Sequence, residues 1–202
     1  MKQAKVLTKE EIKKVLKVCQ LTKHEDRNRF IVHLSFLSGM RAIEIANLRV
    51  KDVLNADNEV LDAIALNKTQ TKGNKAQTVY VGKALKKELI KYFAKFPKLA
   101  DRKEGYLLRT QKGHFTSLTI QHLFKHLYSL ANIPNATSHS GRRNFITELS
   151  EKGVSVRVIQ ELARHSSLQT TQRYIDVSVP KLKGAVDLIG VWLFNRFNYR
   201  RI

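Results

Sequence analysis

A formal charge of +20 is the constraint that any fold of this chain must accommodate. Thirty-seven lysines and arginines stand against seventeen aspartates and glutamates in 202 residues. Charges of one sign repel one another, which opposes a compact state unless a polyanion normally neutralises them. Nucleic acid is the polyanion that fits, because each phosphate neutralised releases counterions and adds affinity. The basic residues run along the whole chain rather than forming a tail, so the folded body itself carries the charge. A ribosome-associated protein and a basic surface kept for solubility are the other readings of charge alone. An apolar fraction of 43% is enough for a core in one large domain, or in a domain with a short appendage. No apolar run is long enough to span a membrane, and the amino terminus is polar rather than signal-like. Cys19 is the sole cysteine. That excludes an internal disulfide and a cysteine-based metal cage, and makes a reducing cytoplasm the expected setting.

Hydrophobic periodicity predicts an α+β fold, mainly helical with one small antiparallel β-sheet. Thr8 and Glu11 read as a capping box that opens a helix with Ile12, Val15, Leu16 and Cys19 on one face. A second helix is expected over 26–38, with Phe30, Leu34 and Leu37 buried and Gly39 as its stop, then a short one over 41–48. Residues rich in β-branching around 60–66 and 77–81 predict two strands. The polar stretch 67–75 between them suits a hairpin turn. A helix over 83–96 should stop at Pro97, with a short strand over 106–109 beyond it. Helices are then expected over 117–131, over 139–152 with Gly153 as its end, over 156–164, and over a short stretch carrying 170–174. The stretch 181–197 is apolar and leads to a basic tail. The expected division is a body of residues 1–179 and an appended helix and tail, 180–202.

Phosphodiester chemistry without a metal needs a nucleophile, cations on the phosphoryl oxygens and an acid for the leaving oxygen. The chain supplies these parts in order. Arg41 opens the short helix, and a guanidinium suits bidentate contact with phosphate. Glu44, one turn on, shares its face and is placed to orient it. His139 and Arg142 lie three apart on one helical face, and His165 precedes Tyr174 by nine residues. Each alone reads as ordinary. Arg41 is then a surface arginine paired with Glu44, Tyr174 is half-buried core, and Lys72 and Lys75 are solvated turn residues.

The ordered set Arg41, a hairpin lysine, His139-x-x-Arg142, His165 and Tyr174 resembles the tyrosine recombinase and integrase family. The stretch 138–177, with Gly153-Val154-Ser155 and the run from Ser166 to Tyr174, is similar to that family's carboxy-terminal signature. The resemblance covers about 6–190. Two positions depart from it. Ala163-Arg164-His165 stands where Leu-Gly-His is usual, and Gly141 stands where leucine commonly precedes the second arginine. Arg164 beside His165 is expected to disfavour the imidazolium. The chain also begins directly at the catalytic part, which reads either as a minimal enzyme or as part of a longer protein.

The resemblance implies a catalytic set of Arg41, Lys72, His139, Arg142, His165 and Tyr174, with Glu44 behind Arg41 and with Lys68, Lys75 and Arg143 on DNA. Lys72 is the expected acid for the leaving 5′-oxygen, while Lys68 and Lys75 are close enough on the turn to substitute. No metal or other cofactor is implied. The implied partners are double-stranded DNA sites, a homo-tetramer on synapsed DNA assembled from monomers, and a DNA-bending accessory protein. The terminal helix either folds on its own core or docks on a neighbouring protomer. Type IB topoisomerase activity and a non-catalytic DNA-binding regulator are the alternative functions.

Overall fold

In the computed structural model the described residues are 3–187 and Ile189, apart from 72, 74, 112 and 176–178. The expected capping box opens α1 (Lys9–Cys19): Glu11 N–H donates to Thr8 Oγ1 at 3.2 Å and Thr8 N–H to Glu11 Oε2 at 3.0 Å. Val15 and Cys19 turn into the core, with Ile12 and Leu16 partly buried beside them. Next comes α2 (Glu25–Ser38), the central helix, on which α1 packs. It ends at Gly39, whose φ of +61° is left-handed and whose N–H returns to Ser35 C=O at 3.1 Å.

A short helix, α3 (Ala42–Ala46), follows, and then a 3-10 turn over Val50–Asp52. The strands β1 (Ala63–Leu66) and β2 (Gln77–Tyr80) pair antiparallel, Ala63 with Tyr80 and Leu66 with Gln77. Within the connecting turn, Lys68–Gln70 forms a 3-10 helix capped by Asn67. Helix α4 (Lys83–Lys95) packs on α2 and stops before Pro97. A second ribbon joins β3 (Arg109–Thr110) to β4 (Gly113–His114). The chain then turns helical through α5 (Ser117–Leu130), α6 (Ser140–Glu151), α7 (Val156–Ala163), α8 (Leu168–Gln172) and α9 (Val179–Asp187).

Three expectations need correction. Leu37 is only partly buried, while Ser35 and Ser38 are covered, because α6 packs along that side of α2. The strand expected over 106–109 is an isolated bridge from Tyr106 to Arg49. The true strand starts at Arg109, because the tight return to Gly113, at φ +133°, gives it a partner. Helix α8 ends at Gln172, so Tyr174 lies in the turn just beyond it, its N–H held by Thr171 C=O at 3.0 Å. The expected helix over 181–197 is described only within α9 and at Ile189; the remainder lies outside the described residues.

The apolar interior has two parts. The larger gathers Ile31, Leu34, Ile45, Leu48, Leu89, Phe124, Leu127 and their neighbours from α1–α5 and β1–β2. The smaller holds Ile146, Ile159 and Ala163, with Phe145, Leu149, Val154, Tyr174 and Ile175 packed against it. Helix α6 joins them, because its first turn lies on α2. A Cβ on Gly141 would collide with Ser35 Oγ and stand 2.9 Å from Phe36. The departure at Gly141 is therefore what lets the two helices close up. This contact brings Arg142 to the end of α2.

Candidate active site

Arg41 holds the N-cap position of α3, with extended backbone at φ −78° and ψ 156°. From there its backbone N–H donates to Glu44 Oε2 at 2.9 Å and its Nη1 to Glu44 Oε1 at 2.6 Å. Its Nη2 donates to Arg164 C=O at 3.0 Å, and Gln77 Oε1 on β2 lies 3.4 Å from Nη1. Glu44 is fully buried. Burial alone would raise its carboxyl, but Arg164 and then Arg41 outweigh that and hold it below the usual carboxylate range. The expected orienting role for Glu44 therefore has its hydrogen bonds.

Arg142 is buried in the first turn of α6. Its Nη1 donates to Gly39 C=O at 2.7 Å and its Nη2 to Ala163 C=O. These two contacts fix the guanidinium plane. Burial, then the nearby Arg41 and Arg164 charges, push Arg142 down to about 9. A cationic group strained in this way gains from an arriving anion.

His165 follows α7, with its backbone N–H on Gln160 C=O at 3.1 Å and its Nδ1 2.9 Å from Thr171 Oγ1 on α8. Burial, then Arg142, Arg41 and Arg164, push His165 down to about 4. The ring is neutral at pH 7, as expected from its arginine neighbour, although Arg164 is the weakest of those causes. The Tyr174 ring stacks on it with centroids 5.7 Å apart. Arg143 Cζ stands 5.8 Å from the centre of the same tyrosine ring, and its Nη1 donates to Ala4 C=O at 2.6 Å. The half-buried Tyr174 thus packs against the small core and borders Arg143 at once.

An open cleft of about 910 Å³ lies beside Arg41 and His165, lined also by Lys75, Gln77, Tyr80 and Arg164 among others. Its two walls are the β1–β2 ribbon and the α7–α8 junction. Lys68 and Lys75 are exposed on the ribbon's turn, and Lys72 lies outside the described residues. His139 is the N-cap residue of α6, solvent-exposed at the end that carries Arg142. Sequence reasoning missed Gln77 and the buried contacts of Arg164. Only the unusual Ala163-Arg164-His165 triplet signalled the latter.

Because His165 sits below its ordinary value of 6.5, the unfolded chain takes up that proton before the folded one does. The stability it contributes is whole above about pH 6.5 and is lost as the pH falls toward about 4. His24, beside Arg27, and His33, through burial, are also held low, so the informative quantity is a difference. Urea unfolding of His165→Gln should show a flatter loss of stability from pH 6.5 to 4 than the parent chain. Parallel curves would remove His165 from the account.

The chain matches the phage integrase family over residues 5–180. It belongs to that family. A tyrosine recombinase XerA from Pyrococcus furiosus is 33% identical over 187 residues, which span 91% of this chain and 61% of that protein. The chain thus covers about three-fifths of that relative's length. Among solved structures, a XerA recombinase superposes on 98% of this chain and 68% of its own, with a TM-score of 0.69 at 22% identity. The Tn1549 transposon integrase, in complex with circular intermediate DNA, superposes on 94% of this chain and 68% of its own, with a TM-score of 0.70 at 16% identity. These likenesses bear out the mainly helical fold with its small antiparallel sheet. Among the described residues no helix is long and apolar enough to cross a membrane.

Proposed function

We propose that this protein is a site-specific DNA recombinase that cuts and rejoins duplex sites through a 3′-phosphotyrosine at Tyr174. The observation that supports this reading is that Arg41 and His165 line one cleft from elements far apart in sequence, with buried Arg142 close to His165 and the Tyr174 ring stacked on that histidine. Tyr174 Oη attacks the scissile phosphorus, and the bond from phosphorus to the 5′-oxygen breaks. A neutral imidazole can accept the phenolic proton where a protonated one cannot, which suits His165 to the task. Arg41 and Arg142 meet the charge that builds on the non-bridging oxygens, and His139 donates to one of them from the end of α6. Lys72 gives the leaving 5′-oxygen its proton. The phosphotyrosine conserves the bond energy, so a 5′-hydroxyl of the partner strand reverses the step without ATP or a divalent metal. Two such rounds exchange both strands.

Lys68, Lys75 and Arg143 are assigned to backbone phosphates of the duplex, where contacts set position rather than sequence. Residues 1–179 form the catalytic body in this reading, acting on cytoplasmic, nucleoid DNA. The segment 180–202 docks on a neighbouring protomer, closing a head-to-tail ring of four on two sites. Its support is the exposure of Leu182 and Val186 on α9 and of Ile189 beyond its end. A DNA-bending accessory protein completes the proposed assembly.

The test is a nicked suicide duplex, whose cleaved end diffuses away and traps the covalent complex. A protein–DNA adduct is expected, together with joined products from two marked sites held by four protomers. An adduct with no joined products would make the protein a topoisomerase acting on one duplex, and no adduct at all would sink the proposal. In the same assay a 5′-phosphorothiolate bridge, whose leaving group needs no proton, should rescue Lys72→Ala and not Arg41→Ala. Rescue of Lys75→Ala instead would move the acid to that residue.

A further inference from the structure

Arg164 is the cation of the site with no assigned task. It follows α7 in the left-handed region, at φ +56° and ψ 46°. That region suits glycine and disfavours a residue with a Cβ. Its side chain is nevertheless only 4% exposed, so an arginine is kept where both the backbone and the desolvation of a charge oppose it.

Its hydrogen bonds give the reason. Nη2 donates to Glu44 Oε2 at 2.8 Å and lies 3.2 Å from Gly39 C=O. Nη1 donates to Leu162 C=O at 2.9 Å. The two acceptors on Nη2 are those used by the phosphate-facing arginines: Glu44 binds Arg41, and the Gly39 carbonyl binds Arg142. The backbone carbonyl of Arg164 accepts from Arg41 Nη2 as well. One residue thus touches the anchors of both guanidiniums; its Nη donors bond protein acceptors, while Nε is buried without a hydrogen-bond partner among the described residues.

Charge tells the same story. Arg41, Arg142 and Arg164 set three positive charges against the single Glu44 carboxylate, a surplus of two. Without Arg164 the carboxylate would belong to Arg41 alone and the surplus would fall to one, with Glu44 Oε2 held only by the Arg41 backbone N–H.

We propose that Arg164 is a positioning residue for strand cleavage: it shares Glu44 with Arg41 and Gly39 C=O with Arg142, and so holds both guanidiniums in the geometry that receives the scissile phosphate. The inference rests on the recombinase reading above. It assigns Arg164 no contact with DNA.

The experiment is single-turnover cleavage of the suicide duplex at saturating protein, with binding to an uncut duplex measured separately. Arg164→Gly, which suits the left-handed turn, should cleave about ten-fold more slowly or worse, while duplex affinity stays within about three-fold. Arg164→Lys keeps the charge but lacks the planar fork, so it should recover part of the rate. Because Arg164 acts through Glu44, the double variant Arg164→Gly/Glu44→Gln should cleave within about two-fold of the slower single variant. Full-rate cleavage by Arg164→Gly, or losses that multiply in the double variant, would overturn the assignment. Should the glycine variant fail to fold by circular dichroism, the lysine variant decides. A folded Arg164→Lys with the parent rate would make Arg164 a stability residue, and a slow one would uphold the proposal. Failure of the parent chain to form any adduct would instead strike the recombinase reading itself.

Discussion

Tyr174→Phe is expected to abolish the covalent DNA adduct while leaving duplex affinity within about three-fold, because the many phosphate contacts that set affinity are untouched. The phenylalanine keeps the ring that stacks on His165 and packs on the small core of Ile146, Ile159 and Ala163. Loss of the hydroxyl therefore removes the nucleophile without opening a cavity, and a folded, DNA-binding, inert protein is the expected product. Denaturing gels of the suicide-duplex reaction check the adduct, and gel shifts check binding. If Tyr128 or Tyr199 still forms the adduct, the assignment of the nucleophile is wrong. Tyr128 is already a poor candidate, since its ring is fully buried beside Phe124 in the main core.

Arg142→Ala carries the other large effect, a loss of cleavage of about two to three orders of magnitude, typical of removing one preorganised charge donor. The argument is geometric. Arg142 is held on two carbonyls from different elements, Gly39 after α2 and Ala163 at the end of α7, so its fork does not reorganise as charge develops. Arg143, about 100° around the helix, serves as the control. It borders the Tyr174 ring more closely than its place on the helix suggests, and it also holds Ala4. Arg143→Ala should therefore cost cleavage less than about ten-fold, a fraction of the Arg142 effect. Equal losses at the two positions in a single-turnover assay would mean that a binding residue has been taken for a catalytic one.

Much of this is legible in the sequence alone. Capping chemistry is local, so Thr8, Glu11 and Gly39 announced the ends of α1 and α2. The helical spacing of His139 and Arg142 and the glycine stop at Gly153 likewise set α6 within a residue or so. What escaped was decided by contacts between distant parts of the chain. The bond from Arg164 to Glu44 spans 120 positions, and no periodicity encodes it. The β3–β4 ribbon is two residues long on each side, below what alternation can reveal. The sequence around Tyr174 predicts a helix, yet α8 ends at Gln172 and the tyrosine packs from the turn against α6 and α7. Gly141 reads in the sequence only as a departure from the usual leucine, and Ser35 and Phe36 show how little space lies between α2 and α6.

The divided interior has a consequence for how the molecule opens. Among the described residues this cluster has three fully buried apolar side chains, and so far less covered surface than the one around α2 and α5. The region 156–175 should therefore behave as a cooperative unit of its own, opening at lower free energy than the rest. Its amide protons would exchange with solvent while those of α2 and α5 stay protected, and exchange at one common rate across both would deny the division. On this view the nucleophile rides on the less stable of the two parts and the first arginine on the more stable. A modest local melting then disarms the protein without unfolding it.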